Sequence, residues 1–182
     1  MKTDLSKFTN DWYKPGNKLK IFLWYFINTF IINSSIFPFN KIKKIILKLF
    51  GAKIGVGVII KPNVNIKYPW LLEIGNYVWI GEGVWIDNLA NVKIGDNVCI
   101  SQGAMLLCGN HNFKKTTFDL MVGKIIIENG VWIGAKTVVC PGVTCKSHSI
   151  LTVGSIANKD LDEWGIYKGN PAVYIKRREI LN

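Results

Sequence analysis

Between Ile54 and Leu106, and again between Ile127 and Ala157, an aliphatic or small apolar residue returns at every sixth position. Neither an ordinary helix nor an ordinary half-buried strand has that period. The marked residues are Ile54, Ile60 and Ile66, then Ile74, Ile80 and Ile86, then Ile94, Ile100 and Leu106; after an interruption they are Ile127, Ile133, Val139, Cys145, Leu151 and Ala157. Two small insertions, Leu72-Glu73 and Val92-Lys93, each follow three hexads, so three hexads behave as one unit that closes on itself. The pattern predicts a solenoid, a prism of short parallel strands in which each hexad supplies one flat face and its first residue points to the axis. Four positions later a second inward set recurs, from Val58, Val64, Val78 and Val84 through Ala90, Val98 and Ala104 to Val131, Thr137 and Val143. These belong in the corners. Gly55, Gly75, Gly81, Gly95 and Gly134 directly follow marked residues, which predicts turns there that need permissive backbone angles. An antiparallel sandwich would show period two with turn signals about every 8–12 residues, and does not explain the sustained register.

The repeat divides the chain into an N-terminal irregular and helical cap (1–51), a β-helical domain (52–160) with an excursion loop (112–124), and a C-terminal tail element (161–182). Residues 1–20 are polar and carry Pro15-Gly16, as an irregular lead-in would. Ile21 to Ile32 is an apolar and aromatic run broken only by Asn28 and Thr29. It is short of the roughly 20 apolar residues that a spanning helix needs, and no small-residue cleavage site follows it, so neither a membrane span nor a signal peptide is expected. Asn40 is placed to cap a second helix, Lys41 to Phe50, in which Ile42, Ile45, Ile46 and Leu49 share one face and Gly51 provides the stop. Asn158 to Gly169 is expected to lead out of the prism.

At 182 residues, 49% of them apolar, the chain can bury one substantial core. Its formal charge of +11 favours an anionic partner. Up to residue 50, nine lysines against Asp4 and Asp11 account for +7 of that charge. A basic helix beside an aromatic run can cap the open end of the solenoid, lie on an anionic membrane surface, or do both. There is no arginine-rich tract, recognition helix, finger or RNA-binding sheet motif, so no nucleic-acid partner is expected. Cys99, Cys108, Cys140 and Cys145 stand within or beside the repeat as small hydrophobes, without metal-site spacing. The expectation is a reduced, cytoplasmic protein with no metal.

His111 is one of two histidines and stands where the repeat releases residues 112–124 as a loop, the position from which a scaffold usually presents chemistry. A neutral imidazole there can take a proton from an attacking hydroxyl, provided its other nitrogen is held by a carbonyl or carboxylate. His148 reads as a surface residue. No Ser-His-Asp set can be assembled locally, and Cys108 and His111 are three positions apart on a strand, which turns them to opposite faces. Phosphate loops in a strand-to-helix setting are absent. Trp132, Gly134 and Ala135 open the first coil after the loop and can line a groove. Asp87 and Asn88, on a coil edge before the loop, can hydrogen-bond a sugar or simply make a solvated turn.

Two features, the hexads broken by a loop with a Gly109-Asn110-His111 entry and the run VWIGAKTVVCPGVT followed by GNPAVYIKRR, resemble the hexapeptide-repeat acyltransferases. Within these, DLSKF, LKLFGAKIG, KYPW and GNPA resemble the polysaccharide-biosynthesis acetyltransferases of the colanic-acid type. The resemblance covers nearly the whole chain. It implies a left-handed parallel β-helix, a homotrimer, and acetyl-CoA held in the groove between neighbouring prisms. His111 matches the family's catalytic base and Trp132 a groove residue, while the backbone N–H of the Gly134-Ala135 turn matches the donor near the thioester oxygen. Val153 and Asn158 fall where later coils meet the pantetheine and adenine ends, and Lys176 where a basic residue meets the 3′-phosphate. Asn112 stands where many relatives have Asp. Cys145-Lys146 replaces the usual Ile-Gly, and Thr152-Val153-Gly154-Ser155 the usual Gly-Ala-Gly-Ser.

The expected function is acetyl-CoA-dependent O-acetylation of a sugar hydroxyl during exopolysaccharide assembly, with a lipid-linked intermediate at the inner membrane face as the candidate acceptor. The alternatives are an acetyltransferase for a soluble sugar, amino sugar or antibiotic, and a structural or binding solenoid without catalysis. A γ-type carbonic anhydrase needs three metal-binding histidines, and this chain has two in all.

Overall fold

The structure is a computed structural model and describes residues 2–181. Its centre is a three-faced parallel β-solenoid. The first three coils contribute β1 (Lys53–Ile54), β2 (Ile59–Ile60), β3 (Asn65–Ile66), β4 (Leu72–Ile74), β5 (Trp79–Ile80), β6 (Trp85–Asp87), β7 (Val92–Ile94), β8 (Cys99–Ile100) and β9 (Met105–Leu107). A hairpin, β10 (Gly109–His111) and β11 (Leu120–Val122), interrupts them. The coils resume with β12 (Ile125–Ile127), β13 (Trp132–Ile133), β14 (Val138–Val139), β15 (Thr144–Cys145), β16 (Ile150–Leu151) and β17 (Ile156–Ala157), and the chain ends in β18 (Gly165–Lys168) and β19 (Val173–Arg177). The first face stacks β1-β4-β7-β12-β15, the second β2-β5-β8-β13-β16-β18-β19, and the third β3-β6-β9-β14-β17. Within a stack the hexad registers agree: Ile54 pairs with Ile74, Ile74 with Ile94, and Ile94 with Ile127 across the excursion.

All the marked residues are buried, and the corner set is buried apart from a partly covered Ala90. Ser149 and Ser155 continue the corner set, and Leu161, also buried, bridges to Cys145. The aliphatic column is therefore one continuous core that no single coil could bury alone.

The glycines that follow marked residues are needed for a different reason from the one expected. None of Gly55, Gly75, Gly81, Gly95 and Gly134 has a positive φ. A Cβ on Gly75 would sit 2.7 Å from the Gly95 carbonyl carbon, and one on Gly134 would sit 2.6 Å from the Leu151 carbonyl oxygen. These positions are glycine because the next coil passes too closely for a side chain. The left-handed corner lies two residues further on, at Gly57, Gly83, Gly103, Gly130, Gly142 and Gly154, and is filled at other corners by Asn63, Tyr77, Asn97, Lys136, His148 and Trp164.

Two helices cover the open end. α1 (Lys18–Ile27) continues into a π-helical turn, Asn28–Ile32, and α2 spans Asn40–Leu49. Asn17 caps α1, its side chain accepting from Leu19 and Lys20 N–H. Asn40 makes no such cap. Its side chain accepts from Ile60 N–H (2.9 Å) and donates to the Val58 carbonyl (3.1 Å), supplying partners to the exposed edge of the first coil. Trp24 Nε1–H donates to the Ile66 carbonyl (2.8 Å), Asn28 accepts from Ile66 N–H, and the buried Lys43 ammonium donates to the Ile32 and Lys61 carbonyls.

The packed face of α2 is Lys43, Ile46, Leu47 and Phe50, while Ile42, Ile45 and Leu49 of the expected apolar face are exposed. Among the described residues no helix is long and apolar enough to cross a membrane.

Residues 158–169 do not leave the prism at once. β18 stacks on β16, pairing Ile166 with Ile150 and Tyr167 with Leu151. β19 then folds back antiparallel to β18 and covers that end of the second face. Leu161 and Tyr167 take inward places without the hexad spacing, which is why the extra partial coil is not visible in the repeat.

Candidate active site

The excursion is an ordered hairpin rather than an irregular loop, and it begins at Gly109, before residue 112. Gly109 pairs with Val122 and His111 with Leu120. A side chain at Gly109 would collide with Leu89 Cδ1 at 2.5 Å, so glycine lets the hairpin start against the prism wall. The tip is closed by Asn112 N–H donating to the Asp119 carbonyl (2.8 Å) and Phe118 N–H to the Lys115 carbonyl (3.1 Å). Lys115 Nζ lies 2.7 Å from Asp119, and the hydrogen bonds from Lys115 and Thr117 hold the Asp119 carboxyl below its ordinary range. Asn112 belongs to this turn, its Oδ1 accepting from Lys114 N–H.

The hairpin fixes the imidazole of His111. Its Nδ1 lies 2.9 Å from the Phe118 carbonyl oxygen, and its ring stacks on the Phe118 ring, centroids 4.5 Å apart and planes 9° apart. A carbonyl can only accept, so Nδ1 carries the proton and Nε2 of the neutral ring keeps its lone pair. Phe118 has φ 52°, a left-handed conformation that is strained for a bulky residue and aims its carbonyl at the histidine.

Phe8 approaches the same imidazole, centroids 5.7 Å apart. The lead-in that carries it is structured: Asp4 N–H donates to the Thr116 carbonyl, the Tyr13 hydroxyl to the Leu89 carbonyl, and Trp70 Nε1–H to the Pro15 carbonyl. Residues 4–16 thus run from the hairpin to the start of α1.

Asp87, at the end of β6, is buried on the hairpin side of the prism. Its Oδ2 would lie 3.8 Å from a Cβ on Gly109. Lys67 Nζ stands 3.6 Å from Asp87 Oδ1, too far for a hydrogen bond, and Oδ1 has no hydrogen-bond partner among the described residues. Burial, with a contribution from Asp87, raises the phenol pKa of Tyr13 and of Tyr68. Asn88 is fully buried, and its amide is engaged at both ends by Tyr68, accepting from the N–H (3.0 Å) and donating to the carbonyl (2.6 Å). It holds a coil corner and presents nothing to a ligand.

Trp132, Gly134, Ala135 and Val153 line one groove of about 370 Å³ on the second face, together with Ser101, Gln102 and Thr152. The indole of Trp132 is 47% exposed and donates to Ser101 Oγ (2.9 Å). A hollow of about 460 Å³ continues the groove through Ser101 and Gln102 toward Trp79 and Glu82. Backbone donors distinguish this corner. Between the first and second faces, the N–H groups of Val56, Asn76 and Asp96 are taken by a ladder of side chains, Asn76, Asp96 and Asn129. At the groove, the N–H groups of Gln102, Ala135 and Val153 have no partner among the described residues, whereas Gly134 N–H donates to the Leu151 carbonyl. Ala135 is therefore the available donor of the Gly134-Ala135 turn.

Lys176 is exposed on β19, the outermost strand of the same face. Asn158 follows β17 on the third face and is not among the groove's lining residues. His148, half-buried, stacks on Trp164 with centroids 4.2 Å apart. Burial pushes the Cys108 thiol up to about 11. No cluster of three or more metal-ligating side chains occurs among the described residues.

Phe8, Phe118, Ser101 and Gln102 escape a reading by motif. Ser101-Gln102 follows Ile100 as Gly134-Ala135 follows Ile133 and Thr152-Val153 follows Leu151, so aligning the second-face hexads is the signal that finds them.

No family model matches the chain. It is 35% identical over 166 residues to the putative colanic acid biosynthesis acetyltransferase WcaF of Escherichia coli (strain K12), covering 91% of each chain. It is 30% identical over 134 residues to the galactoside O-acetyltransferase of the same organism, covering 72% of this chain and 66% of that one. Among solved structures, a galactoside acetyltransferase in complex with coenzyme A superposes with TM-score 0.78 at 25% identity, over 87% of this chain and 80% of the other. A hexapeptide-repeat acetyltransferase of Vibrio cholerae complexed with acetyl coenzyme A shares the fold, with TM-score 0.79 at 20% identity over 90% and 87% of the two chains. With hexads that stack in register across the hairpin and a relative of 35% identity over nearly its full length, this chain belongs to the hexapeptide-repeat acetyltransferases, left-handed parallel β-helix enzymes that use acetyl-CoA, and within them to the colanic-acid type.

Proposed function

We propose that the chain transfers an acetyl group from acetyl-CoA to a saccharide hydroxyl during assembly of an extracellular polysaccharide, with His111 as general base. The observation that carries the reading is the Nδ1 to Phe118 carbonyl bond, which leaves Nε2 as the basic nitrogen. Nε2 takes the proton as the acceptor oxygen attacks the thioester carbonyl carbon. The Ala135 N–H donates to the oxyanion that forms, a kind of contact worth about 3 kcal/mol where it has been removed from other enzymes. When the C–S bond breaks, the imidazolium returns the proton to the departing thiolate. The new ester and free CoA account for every atom, and no acyl-enzyme is needed.

The groove lies on the second face, and the hairpin leaves the chain after the third-face strand β9. None of the groove's lining residues belongs to the hairpin. Three prisms packed around an axis would bring the hairpin of one protomer to the groove of the next, so a homotrimer is the assembly that completes the site. Val153 N–H would meet the pantetheine arm, Lys176 the 3′-phosphate, and Asn158, reached from a neighbouring prism, the adenine end. Asp87, whose Oδ1 has no hydrogen-bond partner among the described residues, is the group for an acceptor hydroxyl, and Asn88 acts beneath it by holding Tyr68.

The name of the galactoside O-acetyltransferase supports a sugar acceptor, and that of the colanic acid biosynthesis acetyltransferase supports a polysaccharide pathway. The test is transfer of labelled acetyl from acetyl-CoA into a membrane extract containing lipid-linked saccharides, with soluble sugars and antibiotics run in parallel. Label in the lipid-linked saccharide fraction is expected. Efficient labelling of soluble acceptors alone would replace this acceptor with a free small molecule.

A further inference from the structure

We propose that the capped end of the solenoid is a docking face for an anionic lipid bilayer. α1 is apolar on two opposite sides. One side, with Trp24, Ile27, Ile31 and Ile32 in the helix and the π-turn after it, packs on the first coil. That side is sufficient for capping. The other carries Leu19, Phe22, Leu23, Phe26 and Phe30, spaced to share one stripe, and all are exposed. Phe30 is 69% exposed, and Phe22 and Phe26 meet only edge to face, centroids 5.1 Å apart. α2 repeats the arrangement: Lys43 and Leu47 face the coil, while Ile42, Ile45 and Leu49 face outward, Leu49 at 78% exposure. Both helices pack their inner sides on the same coil end, so the two outer stripes face away from the prism together.

The charge around these stripes selects the occupant. No Asp or Glu stands between Asp11 and Glu73, a stretch with ten lysines from Lys14 to Lys67. Lys41, Lys44 and Lys48 flank the outer stripe of α2, and among the described residues none of the three is in a salt bridge. A Phe- and Leu-bearing stripe edged by lysines is the pattern of helices that lie in the bilayer interface, their apolar side among the acyl chains and their cations on lipid phosphates. The like charge opposes pairing of this face with a second copy of itself. With no helix among the described residues long and apolar enough to cross a membrane, the contact is in the plane of the surface.

Coil spacing then sets the reach. The hairpin leaves after the third coil, two spacings of about 4.8 Å beyond the first, and the helix layer over the first coil adds about 10 Å, so the hairpin stands about 20 Å from the outer stripes. An acceptor carried on a lipid is held at that range, whereas docking itself does not depend on what the acceptor is.

The test is co-sedimentation of the full chain with vesicles of phosphatidylcholine alone and with about 30 mol% phosphatidylglycerol, at low and at near-physiological salt. The wild type is expected to pellet with the anionic vesicles, less so as salt rises, and poorly with neutral ones. Phe22→Gln/Phe26→Gln and, separately, Lys41→Glu/Lys44→Glu/Lys48→Glu should each lower partitioning at least about tenfold while circular dichroism, Tm and transfer to a soluble sugar stay at wild-type levels. Failure of the wild type to pellet with anionic vesicles at low salt would overturn the proposal, as would unchanged binding of the lysine variant. So would light scattering showing that Phe22→Gln/Phe26→Gln splits an assembly of wild-type chains. Loss of vesicle binding with normal transfer to a soluble sugar separates this proposal from the catalytic reading, which the His111 variant tests.

Discussion

His111 and Phe118, seven residues apart on one hairpin, hold each other twice: the imidazole Nδ1–H donates to the Phe118 carbonyl at 2.9 Å, and the two rings stack 9° from parallel. The carbonyl sets the tautomer, and the ring sets the plane in which Nε2 meets an acceptor. Phe118→Gly keeps the left-handed backbone and the carbonyl but deletes the ring. It should lower kcat about tenfold with little change in KM for acetyl-CoA, since the loss is one of orientation. Equal kcat for variant and wild type in steady-state assays would remove Phe118 from the positioning of the base.

The groove separates binding from packing. Trp132→Ala should raise KM for acetyl-CoA about tenfold at nearly unchanged Tm, because the indole is half exposed and its one hydrogen bond goes to Ser101. Gly134→Ala would place a methyl 2.6 Å from the Leu151 carbonyl oxygen and 2.7 Å from the Val153 nitrogen. Overpacking of this kind costs about 2 kcal/mol, or roughly 6 °C in Tm for a chain of this size. Gly154→Ala meets nothing within 4 Å, and only its φ of 67° opposes it. Its cost should be about 1 kcal/mol. Calorimetry that ranks the two alanines the other way would reject close coil stacking as the reason for glycine at position 134.

Cys108 lies close to His111 in sequence but not in chemistry. Its thiol is fully buried and pushed up to about 11 by burial, so it stays protonated at neutral pH. Cys108→Ala should keep kcat within about twofold and lose about 1 kcal/mol of stability. Abolished transfer in a variant that remains folded would point to an acyl-cysteine route and against direct attack.

Lys43 gives the cap a pH dependence with a defined sign. Burial lowers its pKa below the ordinary lysine value of about 10.5. Between the lowered value and the ordinary one, the unfolded chain holds a proton that the folded chain has shed, so stability from this group rises with pH across that window. Wild type should therefore gain relative to Lys43→Met as pH increases toward about 10. Paired urea titrations at several pH values measure the difference, and a gap independent of pH would show that the ammonium keeps its ordinary pKa in the cap.

The β-solenoid was legible because its core is written into the sequence one hexad at a time. Ile54 through Ala157 each fall on the axis, and the two-residue insertions mark the coil closures. Less is legible wherever a residue serves a neighbouring coil rather than its own segment. Asn40 looked like a helix cap, yet its amide completes the edge of β2, a partner 18 to 20 positions away. Lys43 belongs to the basic helix yet is buried, because the Ile32 carbonyl of the π-turn and the Lys61 carbonyl of the first coil receive it. The position of His111 was visible from the broken repeat. The carbonyl that orients it was not, since Phe118 carries no motif and acts through its backbone. The lead-in that brings Phe8 to the imidazole is short, polar and aperiodic, and its place is set by single hydrogen bonds to Thr116 and Leu89.

The most direct test of the account is the turnover of His111→Ala with acetyl-CoA and a saccharide acceptor, measured beside its CoA affinity by calorimetry. Loss of the base should reduce kcat by about a hundredfold to ten-thousandfold while Kd for CoA stays within about twofold, because the groove on the second face is untouched. Transfer at the wild-type rate by His111→Ala would contradict the assignment of His111 as the base and, with it, the mechanism of direct attack derived from the hairpin.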